Sequence, residues 1–435
     1  MDLLPRRLRG TGTRTDAVSR RTALKLGGLG AVAALGPVSG CSSGSGATEI
    51  RFLMNKPEVV GYFRDLVDTY NASQSDVNVF LDTTPTSITA QFVRGAPPDL
   101  ACYNYNLEAS NFVRRGVLSD LSDLPEADLI SPEVQDLVSQ YATFESETSV
   151  LPYSITAAGV IYNKQLFEQH QVAVPTTWSE LIAACETFQA AGVTPIYSTY
   201  RETWTIQQGL FDYTTGSSMD VAGFYQQLDE VGTDFEPGSE VSFSTVMAEP
   251  VSQMIELAGY SNPDAASRNY YDGNLAFGRG EAAMYMQGPW ALGEIAKIDP
   301  DLPVGTFALP MTEDPADAKV RVNLDLALWI PRSAPNADAS RAFLQYLMQP
   351  DIIDTYNVDN QASSPLVDAE PQPDERLAGL QPYVEEARFF QGAGTYIPPT
   401  VPVGNYLQDA VLNGDAEGLL STLDADWRRL ALRSA

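Results

Sequence analysis

From Glu49 to Tyr103 the chain alternates short apolar runs with stretches of helical spacing, and this rhythm constrains the fold more than any other feature. Glu49–Met54 (EIRFLM) reads as a short buried strand. Val59–Ser73 follows, with Val59, Phe63, Leu66, Val67 and Tyr70 along one helical face. Asn78–Thr83 reads as a second strand and Ile88–Val93 as a helix. Leu100–Tyr103 reads as a third strand after Pro97-Pro98. Strands separated by helices pair in parallel, because a tight turn cannot bring the chain back in the same direction, so an α/β sheet covered by helices is expected.

The rhythm continues. Helices are expected over Leu107–Arg115 and Pro132–Thr143. Val150–Lys164 (VLPYSITAAGVIYNK) is extended and long for one strand. After Pro175 a helix should begin with Thr177 as N-cap and Glu180 three residues on. Thr194–Thr199, Ala282–Gln287 and Gly305–Leu309 read as strands. Trp204–Tyr213, Ala222–Val231, Ser244–Ala258 and Trp290–Ile298 read as helices. A second extended run, Val320–Ile330, precedes a helix from Ala337 to Met348. The C-terminal third is helical, broken by a Pro-rich turn at Ile397–Pro402. No Gly/Ser linker divides this body, so two lobes would have to be joined by extended runs crossing between them, and such crossings act as a hinge.

Residues 1–40 read as a leader. They carry seven basic residues and two acids, then a glycine-diluted apolar run from Leu26 to Leu35 that is about half the roughly 20 residues a membrane span needs. Ser19-Arg20-Arg21-Thr22-Ala23-Leu24-Lys25 resembles a twin-arginine export motif. Val38-Ser39-Gly40-Cys41 resembles a bacterial lipobox, which makes Cys41 the lipidated residue and 41–47 a flexible leash. The expectation is an exported domain tethered to the outer face of the cell membrane.

The formal net charge is −29, and removal of residues 1–40 takes it to −34. Such a field repels phosphate backbones, so nucleic acid is not an expected partner. His170 is the single histidine, which leaves little for a catalytic zinc or a histidine acid–base. No metal and no cofactor is expected. Cys102 and Cys185 are expected as unpaired core residues.

Several motifs are decoys. Gly40–Gly44 fits G-x-S-x-G but lies in the lipobox and leash. Gly278–Ala283 fits a loose G-x-G-x-x-A but precedes a strand, so it presents no helix to a pyrophosphate. Close carboxylates arise by chance among so many acids, and Tyr270-Tyr271 reads as a half-buried strand edge. Aromatics beside amides or charges carry more information: Tyr103-Asn104-Tyr105-Asn106 at a strand end, Arg201-Glu202-Thr203-Trp204, and Gln287-Gly288-Pro289-Trp290. Flat rings for C–H faces and planar polar groups for hydroxyls suit a neutral polyhydroxyl ligand.

An ordered set of stretches then resembles the extracellular solute-binding proteins of ATP-binding-cassette importers, in the sugar-binding family that includes maltose-binding protein. These are Pro152–Lys164, Leu166-Phe167, Val174–Leu181, Ala276-Phe277, Gly280–Met284, Gln287–Trp290, Gly305–Pro310, Leu326–Pro331, Ala342–Leu344 and Ser364–Leu366. The resemblance implies an α/β, two-lobe fold of the type II periplasmic-binding-protein kind, with an interlobe cleft. It places crossings near Val150–Ile155, Leu309–Val322 and Asn357–Ser364. One lobe would comprise 48–150 plus 320–358, the other 156–308 plus 363–435.

The same resemblance assigns the cleft position by position. It implies ligand contacts from Asn55 and Lys56 after the first strand, and from Tyr103, Asn104 and Asn106. Thr156 stands where related sugar binders often carry an acid. Arg201 and Trp204 match a contact loop, and Trp290 matches the tryptophan that floors the sugar site. Asn323 and Asp325 stand where many members have a glycine pair, and Asp325 would bond hydroxyls or a ligand cation. Tyr396 and Tyr406 flank the Pro-rich turn, where another stacking ring is expected. The function implied is a monomeric, lipid-anchored binding protein with no catalytic residues, which captures a sugar or oligosaccharide and delivers it to the permease of an importer. The alternatives are a non-sugar solute such as a polyamine or iron on the same fold, a secreted carbohydrate-active enzyme, and a structural surface lipoprotein.

Overall fold

A computed structural model describes residues 46–56, 59–84 and 87–433. The leader, the twin-arginine motif and the Cys41 lipobox lie outside the described residues. The chain from Gly46 onward forms one compact unit, built on two sheets as the alternation of strands and helices requires. Its strands are β1 (Thr48–Leu53), β2 (Val77–Asp82), β3 (Leu100–Tyr103), β4 (Leu151–Ala158), β5 (Val160–Asn163), β6 (Thr194–Tyr197), β7 (Ala282–Tyr285), β8 (Val304–Phe307), β9 (Val320–Trp329) and β10 (Phe389–Gln391).

The first sheet runs β10-β9-β3-β1-β2. β1 pairs in parallel with β2 and β3, as the helices between them demand. β9 takes β4 along one edge and, on the other, β10 at its start and β3 at its end. The second sheet runs β6-β7-β5-β8, with β5 antiparallel to both neighbours. The apolar interior falls into two clusters. One gathers Phe52, Phe63, Tyr153, Phe343 and Tyr356 behind the first sheet. The other gathers Phe167, Phe188, Phe224, Phe243 and Phe307.

The long run Val150–Lys164 is two strands in two sheets, and the chain changes sheet at Gly159. A Cβ there would lie 2.5 Å from the Phe307 carbonyl oxygen and 2.7 Å from Leu380 Cδ2, so only glycine admits this close passage. The return passes between β8 and β9, through 308–319. Beside these passages Arg321 of β9 donates from Nε to Asp212 Oδ2 at 2.9 Å, while the Gly394 amide donates to Asp212 Oδ1 at 2.8 Å. Both charged side chains are almost wholly enclosed, at 2 % and 1 % exposure. Burial pushes the Asp212 carboxyl up from its ordinary pKa, and Arg321 and the Gly394 amide oppose that rise.

Helix ends follow local chemistry. Thr177 caps the helix Trp178–Ala190 by accepting from the Glu180 amide, and Glu180 reaches back to the Thr176 amide and hydroxyl. Three expectations change. Tyr270 and Tyr271 open the helix Tyr270–Gly278 instead of forming a strand edge, because Asn269 and Asp272 make a reciprocal capping box. The expected helix Trp204–Tyr213 contains a π-helical stretch, Ile206–Phe211, before it resumes at Asp212–Ser218. Phe389–Gln391, in the segment assigned by sequence to the second lobe, pairs with β9 in the first sheet. Cys102 and Cys185 are buried and free, as expected.

Candidate functional site

The C-terminal ends of β1 and β3 and the middle of β9 lie side by side, and the loops leaving them carry the polar groups singled out in the sequence. This is where open α/β sheets gather ligands. Lys56 follows β1, and its Nζ stands 2.6 and 2.8 Å from the two carboxylate oxygens of Asp325 on β9. Asn104, just past β3, donates from Nδ2 to the Asp325 carbonyl at 2.5 Å and to its Oδ1 at 3.2 Å. Asp325 is thus an internally neutralised acid rather than a bare carboxylate. Asn106 caps the helix Leu107–Arg114 by accepting from the Ala109 amide at 3.1 Å.

The opposite wall comes from elements around the second sheet. β7 runs into Gln287-Gly288-Pro289, and Trp290 opens the helix Trp290–Ile298. The indole ring lies across the Gly288 backbone: a Cβ on Gly288 would fall 2.1 Å from a ring carbon, so glycine is required for this ring position. Trp290 Nε1 donates to Gln287 Oε1 at 3.3 Å. Gln208 projects from the π-helical stretch, a distortion that recurs at functional sites.

Together these groups line a cavity of about 440 Å³ bounded by Asn55, Lys56, Tyr103, Asn104, Asn106, Gln208, Trp290, Asn323 and Asp325, with Cys102 and Leu326 beneath. Among the described residues, the side-chain amides of Asn55, Gln208 and Asn323 take no protein partner. Burial, with a contribution from Glu108, pushes the Tyr103 hydroxyl above its ordinary pKa, so it remains a protonated donor. Burial also pushes the Cys102 thiol well up; Asp325 adds to that rise and Lys56 opposes it. The cavity therefore offers one indole face, one phenol, several uncommitted amides and no net charge from its single ion pair.

Eight of the thirteen residues proposed from sequence meet here: Asn55, Lys56, Tyr103, Asn104, Asn106, Trp290, Asn323 and Asp325. The other five stand elsewhere. Thr156 of β4 is paired with Asn323 but does not line the cavity. Arg201 is exposed, and Trp204 packs on Tyr270 with ring centroids 5.2 Å apart. Tyr396 stacks on Tyr225, at 4.7 Å and 10°, and on Tyr141, at 5.8 Å and 8°, and with them lines a separate cavity that holds Trp427. Tyr406 donates to Asp426 at 2.8 Å and joins the last two helices. Sequence reasoning missed Gln208. Its signal was the amide pair Gln207-Gln208 beside Trp204, in a helix read as regular.

A family model described as bacterial extracellular solute-binding protein matches residues 56–352. The multiple sugar-binding protein of Streptococcus mutans is 23 % identical over 304 residues, covering 68 % of this chain and 70 % of that protein. The diacetylchitobiose binding protein NgcE of Streptomyces coelicolor is 30 % identical over a shorter stretch of 142 residues, 28 % of this chain and 29 % of that one. Among solved structures, the apo form of RafE from Streptococcus pneumoniae superposes with a TM-score of 0.76 at 20 % identity, covering 89 % of this chain and 99 % of RafE. RafE in complex with raffinose gives 0.71 over 88 % of this chain and 100 % of the other, also at 20 % identity. At such identity these likenesses establish the two-lobe fold.

Proposed function

The chain belongs to the bacterial extracellular solute-binding proteins, and on that premise we propose that it captures a neutral sugar or oligosaccharide between its lobes and hands it, unaltered, to the permease of an ATP-binding-cassette importer. One observation carries this reading: the cavity sets the Trp290 face on one side against uncommitted amides and an ion-paired Asp325 on the other. A polyhydroxyl ring presents C–H bonds to an indole and hydroxyls to amides, and brings no charge for the site to balance. A ligand cation would have to displace Lys56 from Asp325. Relatives described as sugar-binding support the same class.

A guest that touches both walls stabilises the closed arrangement by its differential affinity for that arrangement, so binding and closure are one equilibrium. The passages at Gly159 and 308–319 are the hinge in this account. The lobes it joins are 48–150 plus 320–358 and 156–308 plus 363–435, with the end of β4 (156–158) and β10 contributed to the first sheet. The protein works as an exported monomer on the outer face of the membrane, held by a lipid on Cys41. Among the described residues no helix is long and apolar enough to cross a membrane. Titration calorimetry against a carbohydrate panel, with mass spectrometry of any ligand carried through purification, tests the reading.

A further inference from the structure

Two more cavities lie next to the Trp290 cavity, linked to it through shared lining residues. Asn106 lines the first cavity and also a second of about 550 Å³, whose other walls include Glu108, Thr203, Gln207 and Asn405. Leu107 lines that second cavity and also a third of about 440 Å³. The π-helical stretch repeats the link, with Gln208 facing the first cavity and Gln207 the second. Three spaces, each within the usual size of a small-molecule site, thus share walls one residue apart.

The third space has a composition of its own. Helix Leu107–Arg114, which follows β3 of the first sheet, supplies Leu107 and Arg114 to one side. The helices Val221–Val231 and Ala416–Ala431 supply Tyr225, Asp229 and Trp427 to the other. Trp427 is half-buried, its ring 5.7 Å from Tyr225 and 5.4 Å from Phe243, so it is held in place with part of its surface open to the cavity. Asp229 makes no hydrogen bond to protein among the described residues. Arg114 lines the same cavity. The third cavity thus shares with the first an indole and phenol rings, and sets a carboxylate and a guanidinium where the first has amides.

Resting on the sugar-binding reading above, we propose that the ligand is a linear oligosaccharide, and that the Trp427 cavity is a second carbohydrate subsite taking its far end beyond the sill of Asn106 and Leu107. A monosaccharide would occupy the Trp290 cavity alone.

The test is calorimetry on the purified protein with linear glucose-, galactose- and N-acetylglucosamine-based oligosaccharides of one to six units. In the series that binds, affinity should rise about tenfold or more as the chain grows past the length that fills the first cavity. Trp427→Ala should remove that gain, whereas Trp290→Ala should weaken binding at every length. Because Trp427 packs on Phe243, the exposed Asp229→Ala serves if Trp427→Ala does not fold, and it too should diminish the gain. Affinity that is independent of length, or a gain that survives in a folded Trp427→Ala protein, overturns the second subsite and leaves the sugar-binding reading standing. Absence of binding by all three series to the unaltered protein overturns both.

Discussion

Lys56 and Asp325, 269 residues apart, form a two-pronged ion pair of 2.6 and 2.8 Å that ties the loop after the first strand to the middle of β9. The side chains are 28 % and 18 % exposed, so the pair is shielded from water more than a surface bridge but is not fully buried. Lys56→Met would leave the Asp325 charge in the cavity with only Asn104 beside it. The expected loss is about 1–3 kcal/mol, between the ranges for exposed and buried pairs. Urea unfolding of Lys56→Met, Asp325→Leu and the double variant should give a coupling energy near 1 kcal/mol. Additive single losses would show that the two groups do not act together.

Trp290 depends on its neighbour as much as on its own ring. Trp290→Ala should weaken ligand binding by about 1.5–3 kcal/mol, the scale of a lost aromatic contact. Gly288→Ala keeps the indole but puts a Cβ where the ring now lies, so it should also impair binding while leaving the chain folded by circular dichroism. Full affinity in Gly288→Ala would mean that the observed ring position is not the one that meets ligand.

The order of strands and helices, and Tyr103, Asn104, Asn106 and Trp290 in the cavity, were legible from local signals, whereas Asn55, Lys56, Asn323 and Asp325 came from the family resemblance. Helical spacing located Ile88–Val93, and the strand end at Leu100–Tyr103 brought Tyr103, Asn104 and Asn106 into view. Gln208 was not legible, because a π-helical stretch shifts the facing of side chains away from the 3.6-residue period that sequence reading counts. Nor was β10, whose three residues are extended because β9 offers them an edge, which is a tertiary effect. Tyr396 has the composition of a stacking ring at a turn, yet it packs with Tyr141 and Tyr225 at the Trp427 cavity and not at the Trp290 cavity. Only the packing of distant helices decides that.

Acid sensitivity can be assigned to a named pair. Arg376 donates from Nε to both oxygens of Asp374, at 2.9 and 3.1 Å, and holds its carboxyl below the ordinary value. A folded-state pKa below the unfolded one contributes stability above the unfolded value of about 4, and that contribution is lost as pH falls through the lowered value. Asp374→Asn should therefore be less stable than the unaltered protein at pH 7, by about 0.5–1 kcal/mol. The difference should close as the pH is lowered below 4 in paired thermal melts. A gap that persists at pH 2 would show that the substitution acts through packing.

The proposed lipid tether at Cys41 can be tested apart from the binding site. Cys41→Ala should move the protein from the membrane fraction to the medium in a producing bacterium, with ligand affinity unaltered. Retention on the membrane would place the anchor elsewhere.

The central claim is that an uncharged, hydroxylated guest binds between Trp290 and the amides around Asp325 and leaves chemically intact. Calorimetric titration with neutral oligosaccharides, followed by mass spectrometry of the recovered sugar, addresses it most directly. The account predicts saturable heat with at least one sugar and recovery of that sugar at its starting mass. Heat only with a cationic or metal solute, or recovery of shortened sugar, would contradict it.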